Sequence, residues 1–414
     1  MKNIPLDKDK VIIFMGSMNA FPMMYALQLK KYGYEVLYFV DAPIKDTLSR
    51  PENHYPSISY PYPDWIIEWT LPLQIILLLS PRIFSWRISN IISKYTKKKI
   101  GCYVLNGFFI SLSPYLPKAT CVALSHGSDL DVWANSDGVE QLRQGVFNAK
   151  QKRSIPKKIQ SSIVKYCIAT QRKGFLHSDY VVYFPPKFNQ TGDNIIAELQ
   201  QAGVAYIPRF HGAFYALAGQ NRNYRDKNNN SPLRIFSGVR FLYKKFPRGN
   251  FGYNKGNDRI IEGLSRYYQI NKNIKIDFVE KGTDLADAKL LCKKNGLEDA
   301  VTWHKEMPFK ELLDLYQQAD VCFDQVGEHW ISAIGVYALW LGKPLIANDK
   351  NYVDFGAWPE DNPVCSASSA AEVFQWLQKI SDNEVRKKIS ENSKLFADQY
   401  LDMENFPNAI FQMT

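Results

Sequence analysis

The chain has 414 residues, too many for one ordinary core, so two domains of roughly 200 residues each are expected. Hydrophobic residues at 46% and charged residues at 22% describe a soluble globular protein, and the longest uncharged apolar run, Trp69–Pro81, is too short for a membrane span, which needs about 20 residues. The net charge of +10 lies wholly in one half: residues 1–220 hold 25 Lys and Arg against 15 Asp and Glu, whereas residues 221–414 hold 26 of each.

A basic first half suggests an anionic partner there: a membrane surface, a phospholipid-like substrate or nucleic acid, with solvated lysines as the plain alternative. No nucleic-acid-binding motif accompanies the charge, so nucleic acid is not expected as a partner. Aromatic residues make up 14%, a high share that suits sugar rings and interfaces or simply an aromatic core. The six cysteines form no CxxC and several stand in apolar runs, as in "TCVAL" and "VCF". They read as reduced core residues of a cytoplasmic protein, and the polar opening "MKNIPLDKDK" is not that of a signal peptide.

In chain order, "KVIIFMG" (10–16) predicts a buried strand that opens into the loop "SMNAFP", followed by a helix, a Gly turn and a second strand up to "DAP". The run "WTLPLQIILLLSP" comes next, flanked by Trp65, Trp86, Arg82, Arg87 and Lys97 to Lys99. It suits either a membrane-surface segment or a core helix with a basic flank. Short buried strands are expected at 102–107, 120–127 and 178–186. Parallel strands with helices between them make a doubly wound, Rossmann-like sheet.

The Asn-rich, non-periodic stretch "LAGQNRNYRDKNNNSP" is the natural linker. It divides the chain into a first domain (1–217), a linker (218–231), a second domain (232–399) and a tail (400–414) that packs back on the first domain. After the linker the pattern restarts. Strands are expected at "LRIFS", "IKIDFV", "AVTWH", "DVCFDQV" and "LIA", alternating with amphipathic helices, and two helices close the domain at 369–380 and 382–399. Two such domains enclose a cleft lined by the carboxyl ends of their strands.

Candidate site residues stand at those strand ends. Arg240 follows the first strand of the second domain, and Lys255-Gly256 precede the next helix. Helix-start N–H groups with Arg and Lys nearby make an anion site suited to a diphosphate. Gly282 ends the second strand, where it lets a ligand, the donor nucleoside, approach the backbone closely. "DVCFDQVGEHW" sets Asp324, Gln325, Glu328 and His329 before the helix of "YALWLGKPLIAND", which is expected to start near Gly335-Val336-Tyr337 and to stop near Leu341. In the first domain, "SHGSDLDVW" projects His126 and Asp129 from a strand end, with Gly16 and Asn19 as weaker candidates for the acceptor side. The "DLD" at 129–131 reads as a helix-start cap, and His54, His177 and His211 have no partner at metal spacing.

The ordered set of strand, Arg240, "KGND" and helix, then "KKNGLEDAVTWHKEMPFKELLDLYQQADVCF" and "ALWLGKPLIA", resembles the carboxyl-terminal domain of GT-B glycosyltransferases of the large retaining family four. The resemblance spans about residues 233–350, with architecture and "SHGSDLD" extending it into the first half. It implies a GT-B fold and transfer of a sugar from a nucleotide-diphosphate donor, with retention of configuration and with the leaving phosphate helping to deprotonate the acceptor.

By the same resemblance, Arg240 and Lys255 bind the diphosphate. His304, Lys305 and Met307 line the nucleobase pocket, and His126 touches the donor sugar or leaving phosphate. Asp324 and Gln325 lie near the sugar. The family's paired Glu positions fall on His329, near the sugar, and Tyr337, near the ribose; neither is Glu, and Glu328 stands one place early. Arg, Lys and helix dipoles can neutralise the leaving diphosphate, so no metal and no other cofactor is expected.

These readings converge on an enzyme of the inner face of the cell membrane. Its acceptor would be a lipid-linked glycan in bacterial surface polysaccharide synthesis, either lipopolysaccharide O-antigen or capsule. The missing Glu pair keeps a non-catalytic sugar-nucleotide binder open, and a nucleotide-sugar epimerase on the same fold is a further alternative.

Overall fold

A computed structural model describes residues 3–46, 48–55, 57–70, 74–147, 155–209, 222, 231–244, 254–327, 331–401 and 410–412. The chain divides into two compact units, residues 1–209 with 404–414, and residues 210–403. The linker expected at 218–231 lies outside the described residues apart from Arg222 and Ser231.

The first unit carries strands β1 (Ile4–Pro5), β2 (Val11–Met15), β3 (Val36–Val40), β4 (Ile66–Glu68), β5 (Ile100–Leu105), β6 (Thr120–Leu124), β7 (Tyr180–Tyr183) and β8 (Ala205–Pro208). Its helices are α1 (Phe21–Lys31), α2 (Ile76–Leu79), α3 (Pro81–Tyr95), α4 (Ser128–Asp131), α5 (Val139–Val146), α6 (Lys157–Leu176) and α7 (Gln190–Gln201). Seven of the strands form one parallel sheet in the order β4-β3-β2-β5-β6-β7-β8. Every residue of β2 and β3 is buried, as the continuous apolar runs "VIIFM" and "VLYFV" require of strands covered on both faces.

Among the described residues of the apolar run at 69–81, Leu77, Leu78 and Pro81 are buried, whereas Leu79 is 40% exposed. Trp69 packs edge-on against Phe84 and tilts over Phe109. Its residues Leu71 to Leu73 lie outside the described residues. Pro81 opens α3, where its fixed φ and missing N–H suit a helix start. Phe84, Ile88 and Ile92, four apart, then turn one face of α3 inward.

The second unit carries β9 (Leu233–Ser237), β10 (Ile274–Val279), β11 (Val301–His304), β12 (Val321–Phe323), β13 (Leu345–Ala347) and β14 (Cys365–Ser366). These form a second parallel sheet in the order β11-β10-β9-β12-β13-β14. Its helices are α8 (Asn257–Ile270), α9 (Leu285–Lys294), α10 (Phe309–Gln318), α11 (Ala333–Trp340), α12 (Lys350–Asp354), α13 (Ala370–Ser381) and α14 (Asn383–Tyr400). The helix of "YALWLGKP" ends as its Gly-Lys-Pro dictates. Gly342 takes φ +67°, Lys343 N–H donates to Ala338 O at 2.8 Å, and the buried Lys343 ammonium caps α10 through Gln317 O and Ala319 O. In the tail, β15 (Phe411–Gln412) pairs in parallel with β1.

All six cysteines are free and buried. Burial pushes the thiols of Cys121, Cys167, Cys292 and Cys322 up to between about 11 and 12, which suits packing rather than reactivity.

Candidate functional site

Each sheet reverses its strand order at one place, between β2 and β5 in the first unit and between β9 and β12 in the second. Ligands of doubly wound sheets bind at the carboxyl ends of the strands beside such a reversal.

In the second unit the backbone of Lys255 laces the two sides of that reversal together. Its N–H donates to Leu242 O at 2.7 Å, and its carbonyl accepts from Val326 N–H at 3.1 Å. Gly256, the residue before α8, takes φ +68°, and a Cβ there would stand 2.5 Å from the Gly327 nitrogen. Only glycine lets the two loops approach so closely. The Lys255 amine is pushed down to about 7, first by burial; Asp324 pulls it back up and Arg240 pushes it further down. Arg240 itself is exposed. An amine poised between charge states, a guanidinium beside it and the start of a 14-residue helix together suit a polyanion.

Asp324 does something other than touch a sugar. Only 1% exposed, it accepts from Gln325 N–H at 2.7 Å, Ser332 N–H at 2.5 Å, Ser332 Oγ–H at 2.9 Å and Gly335 N–H at 3.2 Å. It therefore caps the start of α11 and supplies the negative charge that this helix end favours. Gln325 is buried, and its carbonyl accepts from Asn348 N–H at 3.0 Å.

Tyr337 is likewise displaced from its expected place. The helix starts at Ala333, so Tyr337 falls in the second turn rather than at its start. The ring is 3% exposed and packs against Phe309 at 4.9 Å and Tyr316 at 6.2 Å between centroids. Where the resemblance calls for a ribose-binding carboxylate, this chain has a core aromatic. Glu328 and His329 lie outside the described residues.

At Gly282, where a ligand was expected to approach, the close neighbour is protein backbone instead. At φ +118° its Cβ position would stand 2.6 Å from Phe241 N, and Phe241 N–H donates to Lys281 O at 2.7 Å. Asp284 then accepts from Tyr243 N–H and Lys244 N–H at 2.7 and 2.8 Å, so this corner holds the loop after β9 in place. At the sheet edge His304 Nε2 meets Asp277 Oδ1 at 2.7 Å, while Lys305 is exposed and Met307 half-buried.

In the first unit, Gly16 ends β2 at φ +95° with its Cβ position 2.5 Å from Asn106 O, so it serves the close packing of β2 on β5. Asn19 and Ala20 both take left-handed φ, 53° and 52°, a costly backbone state for residues with a side chain. The turn brings Asn19 Nδ2 to 2.6 Å from His126 Nε2. An amide donating there leaves the imidazole proton on Nδ1, which is buried and makes no hydrogen bond among the described residues.

Asp129 is wholly consumed by this turn. It accepts from Ser125 Oγ–H at 2.7 Å and from His126, Gly127 and Gly107 N–H at 3.0 to 3.2 Å. It fixes the His-Gly segment and offers nothing to a ligand.

Arg209, which the sequence reading passed over, completes this cluster. It follows β8, is buried, and lies between the rings of Phe21 and Phe184 at 4.4 and 4.6 Å. The signal that singled out Arg240, a cation directly after a strand, was present in "YIPR" as well.

Burial, then Arg209, holds His126 down to about 3 from its ordinary 6.5. It will therefore stay neutral across pH 5 to 8, which a flat imidazole NMR titration over that range will show. Between about 3 and 6.5 the unfolded chain binds a proton that the folded chain refuses, so acidification through this window favours unfolding. His126→Gln will remove that part of the acid sensitivity.

Two doubly wound parallel sheets in separate units, each with its polar and cationic residues at a strand-order reversal, make up the GT-B fold. No family model matches the chain, and no curated protein does. Solved structures do match. Sucrose-phosphate synthase from Thermosynechococcus elongatus is similar over 96% of both chains, with a TM-score of 0.57 and 14% identity. WaaG, a glycosyltransferase involved in lipopolysaccharide biosynthesis, is similar over 96% of this chain and 97% of its own, at 0.50 and 14%. A UDP-N-acetylglucosamine 2-epimerase structure from Listeria monocytogenes is similar over 97% and 94%, at 0.51 and 11%. At these identities the likeness is one of fold.

Proposed function

We propose that this chain is a glycosyltransferase that moves a sugar from a nucleotide-diphosphate donor to a glycan acceptor. The observation that carries the reading is the pairing of Arg240 with the half-buried Lys255 at the start of α8, beside the strand-order reversal of the second sheet. These cations neutralise the diphosphate as it leaves, which is where negative charge grows in the transition state. His126 is neutral and acts as an N–H donor from Nδ1 rather than as a cation. Glu328 and His329 are the candidates for contact with the sugar hydroxyls, and the nucleobase lies along His304 to Met307. In its finer form the acceptor is a lipid-linked glycan of bacterial surface polysaccharide synthesis, the reaction retains configuration, and the enzyme works at the inner face of the membrane. The fold likeness to WaaG is in keeping with that form.

One observation favours a second reading. The buried Tyr337 stands where the resemblance calls for a ribose-binding carboxylate, as a sugar-nucleotide binder without turnover would tolerate. An epimerase shares the fold as well.

A panel of UDP-, GDP-, ADP-, CMP- and dTDP-sugars separates these readings by thermal stabilisation, slow donor hydrolysis and product analysis. The expected result is one nucleotide class that stabilises the protein and is hydrolysed, with both effects lost in Lys255→Ala. Stabilisation with no turnover, even with acceptor present, would favour the binder. An epimerised sugar nucleotide would favour the epimerase, and silence towards every donor would end all three.

A further inference from the structure

We propose that α3 and α6 of the first unit form a docking surface for an anionic phospholipid bilayer. This names the surface for the membrane association included above, and it stands on observations that involve no donor or sugar.

The two helices flank one segment of chain. Both pack on residues 107–115, and α2 packs on α6. Tyr115 joins them: its carbonyl accepts from Ser85 Oγ–H of α3 at 2.6 Å, and its hydroxyl accepts from the Lys173 ammonium of α6 at 3.4 Å.

Each helix buries one face, Phe84, Ile88 and Ile92 on α3, and Val164, Cys167 and Ile168 on α6. Each also leaves large apolar groups in solvent on the other face. Ile83 and Trp86 are 54% and 66% exposed, and Ile159 and Tyr166 are both 51% exposed. They stand three and seven residues apart on their helices, so each pair forms a stripe rather than a scatter. Leu79, Ile159, Ile163 and Tyr166 line an apolar groove of about 370 Å³. It shares Lys158 and Ser162 with a neighbouring hollow of about 450 Å³ lined by Lys157, Lys165 and Arg143. The acid in that hollow, Glu140, is taken up by Arg143.

Charge selects the occupant. Residues 74–99 hold six Lys and Arg and no Asp or Glu, and residues 155–178 hold five and none. A second copy of this chain would bring the same positive face against itself, which Coulomb repulsion opposes. Nucleic acid would pair with the lysines but leave Ile83, Trp86, Ile159 and Tyr166 without a partner. A leaflet of anionic lipid satisfies both features, because aromatic and aliphatic groups enter the headgroup boundary while Lys and Arg meet phosphates.

Co-sedimentation of the full chain with vesicles tests this, using phosphatidylcholine alone and phosphatidylcholine mixed with phosphatidylglycerol. The wild type is expected to sediment with the mixed vesicles, to bind the zwitterionic ones weakly, and to release as salt is raised. Lys157→Glu with Lys158→Glu and Lys165→Glu should weaken binding on the order of a hundredfold. Ile83→Ser with Trp86→Ser should weaken it on the order of tenfold or more. The replaced side chains are exposed, so unchanged melting temperatures serve as the control. If either variant melts early, Ile159→Ser with Tyr166→Ser tests the same surface from the other helix.

No binding to mixed vesicles by the wild type would overturn the proposal. So would wild-type binding by the serine variants, which would leave only diffuse charge attraction. A dimer lost in the serine variants, with no vesicle binding, would assign the face to self-association instead. Failure of the donor panel would leave these sedimentation results unchanged, so the two proposals fall separately.

Discussion

Lys255→Ala will weaken binding of the matching nucleoside diphosphate by about 10- to 100-fold, the worth of one charge-assisted hydrogen bond. The wild type will in addition show a pH dependence that the variant lacks. The free amine is half-protonated near pH 7, whereas a bound diphosphate favours the ammonium form. Binding above pH 7 therefore takes up protons, and affinity falls as pH rises, by up to about tenfold per unit until the amine of the complex titrates too. Calorimetry at pH 8 in two buffers of different ionisation enthalpy measures that uptake directly. An affinity that is flat in pH and unchanged in Lys255→Ala would remove the anion site from α8.

Asp324→Ala will cost stability, by about 3–5 kcal/mol, because it strips a buried carboxylate from three backbone N–H groups and the Ser332 hydroxyl at the start of α11. It also removes the charge that pulls the Lys255 amine upward, so that amine will titrate lower still. Urea unfolding will report a fall in midpoint with little change in slope. Because Asp324 and the Lys255 amine attract each other, adding Lys255→Ala to Asp324→Ala will cost less than the two changes summed. Strict additivity would mean that the two groups do not interact. A stability loss under about 1 kcal/mol would mean that other groups satisfy the helix start.

The two predictions bear on one point in different ways. Lys255 is proposed to act on a ligand, whereas Asp324 caps α11 and draws the Lys255 amine towards its charged form. Their residue types alone, a cation and an anion near strand ends, do not separate these roles.

The long strands were legible because five consecutive apolar, β-branched or aromatic residues leave little alternative to a strand covered on both faces, as in "VIIFM" and "VLYFV", and because "IKIDFV" alternates apolar with polar residues. The edge strands Ile66–Glu68 and Cys365–Ser366 were not, since three or two residues carry no period. The helix over "YALWLGKP" was predicted from its Gly-Lys-Pro stop, but it starts at Ala333 and not near Gly335 to Tyr337, because the start depends on the distant cap from Asp324. In the same way the apolar run after Trp69 reads as either membrane-facing or core. Only the packing divided it: Leu77 and Leu78 turn into the core, while Leu79 and, on the neighbouring α3, Ile83 and Trp86 turn outward.

By itself, then, the sequence determined the alternation of strands and helices, the repeat of that pattern in two halves, and the placing of Arg240 and Lys255 after a strand and before a helix. Those are local matters of period, glycine and proline. The tertiary structure decided the rest: that Asp129 and Asp324 are caps, that Tyr337 is core, that Gly282 packs on backbone, and that Arg209 joins His126 between two phenylalanines. What a carboxylate, a ring or a guanidinium does depends on which N–H groups, rings and charges other segments bring within a few ångströms. That proximity between residues far apart in the chain is written in the packing, not in their spacing along it.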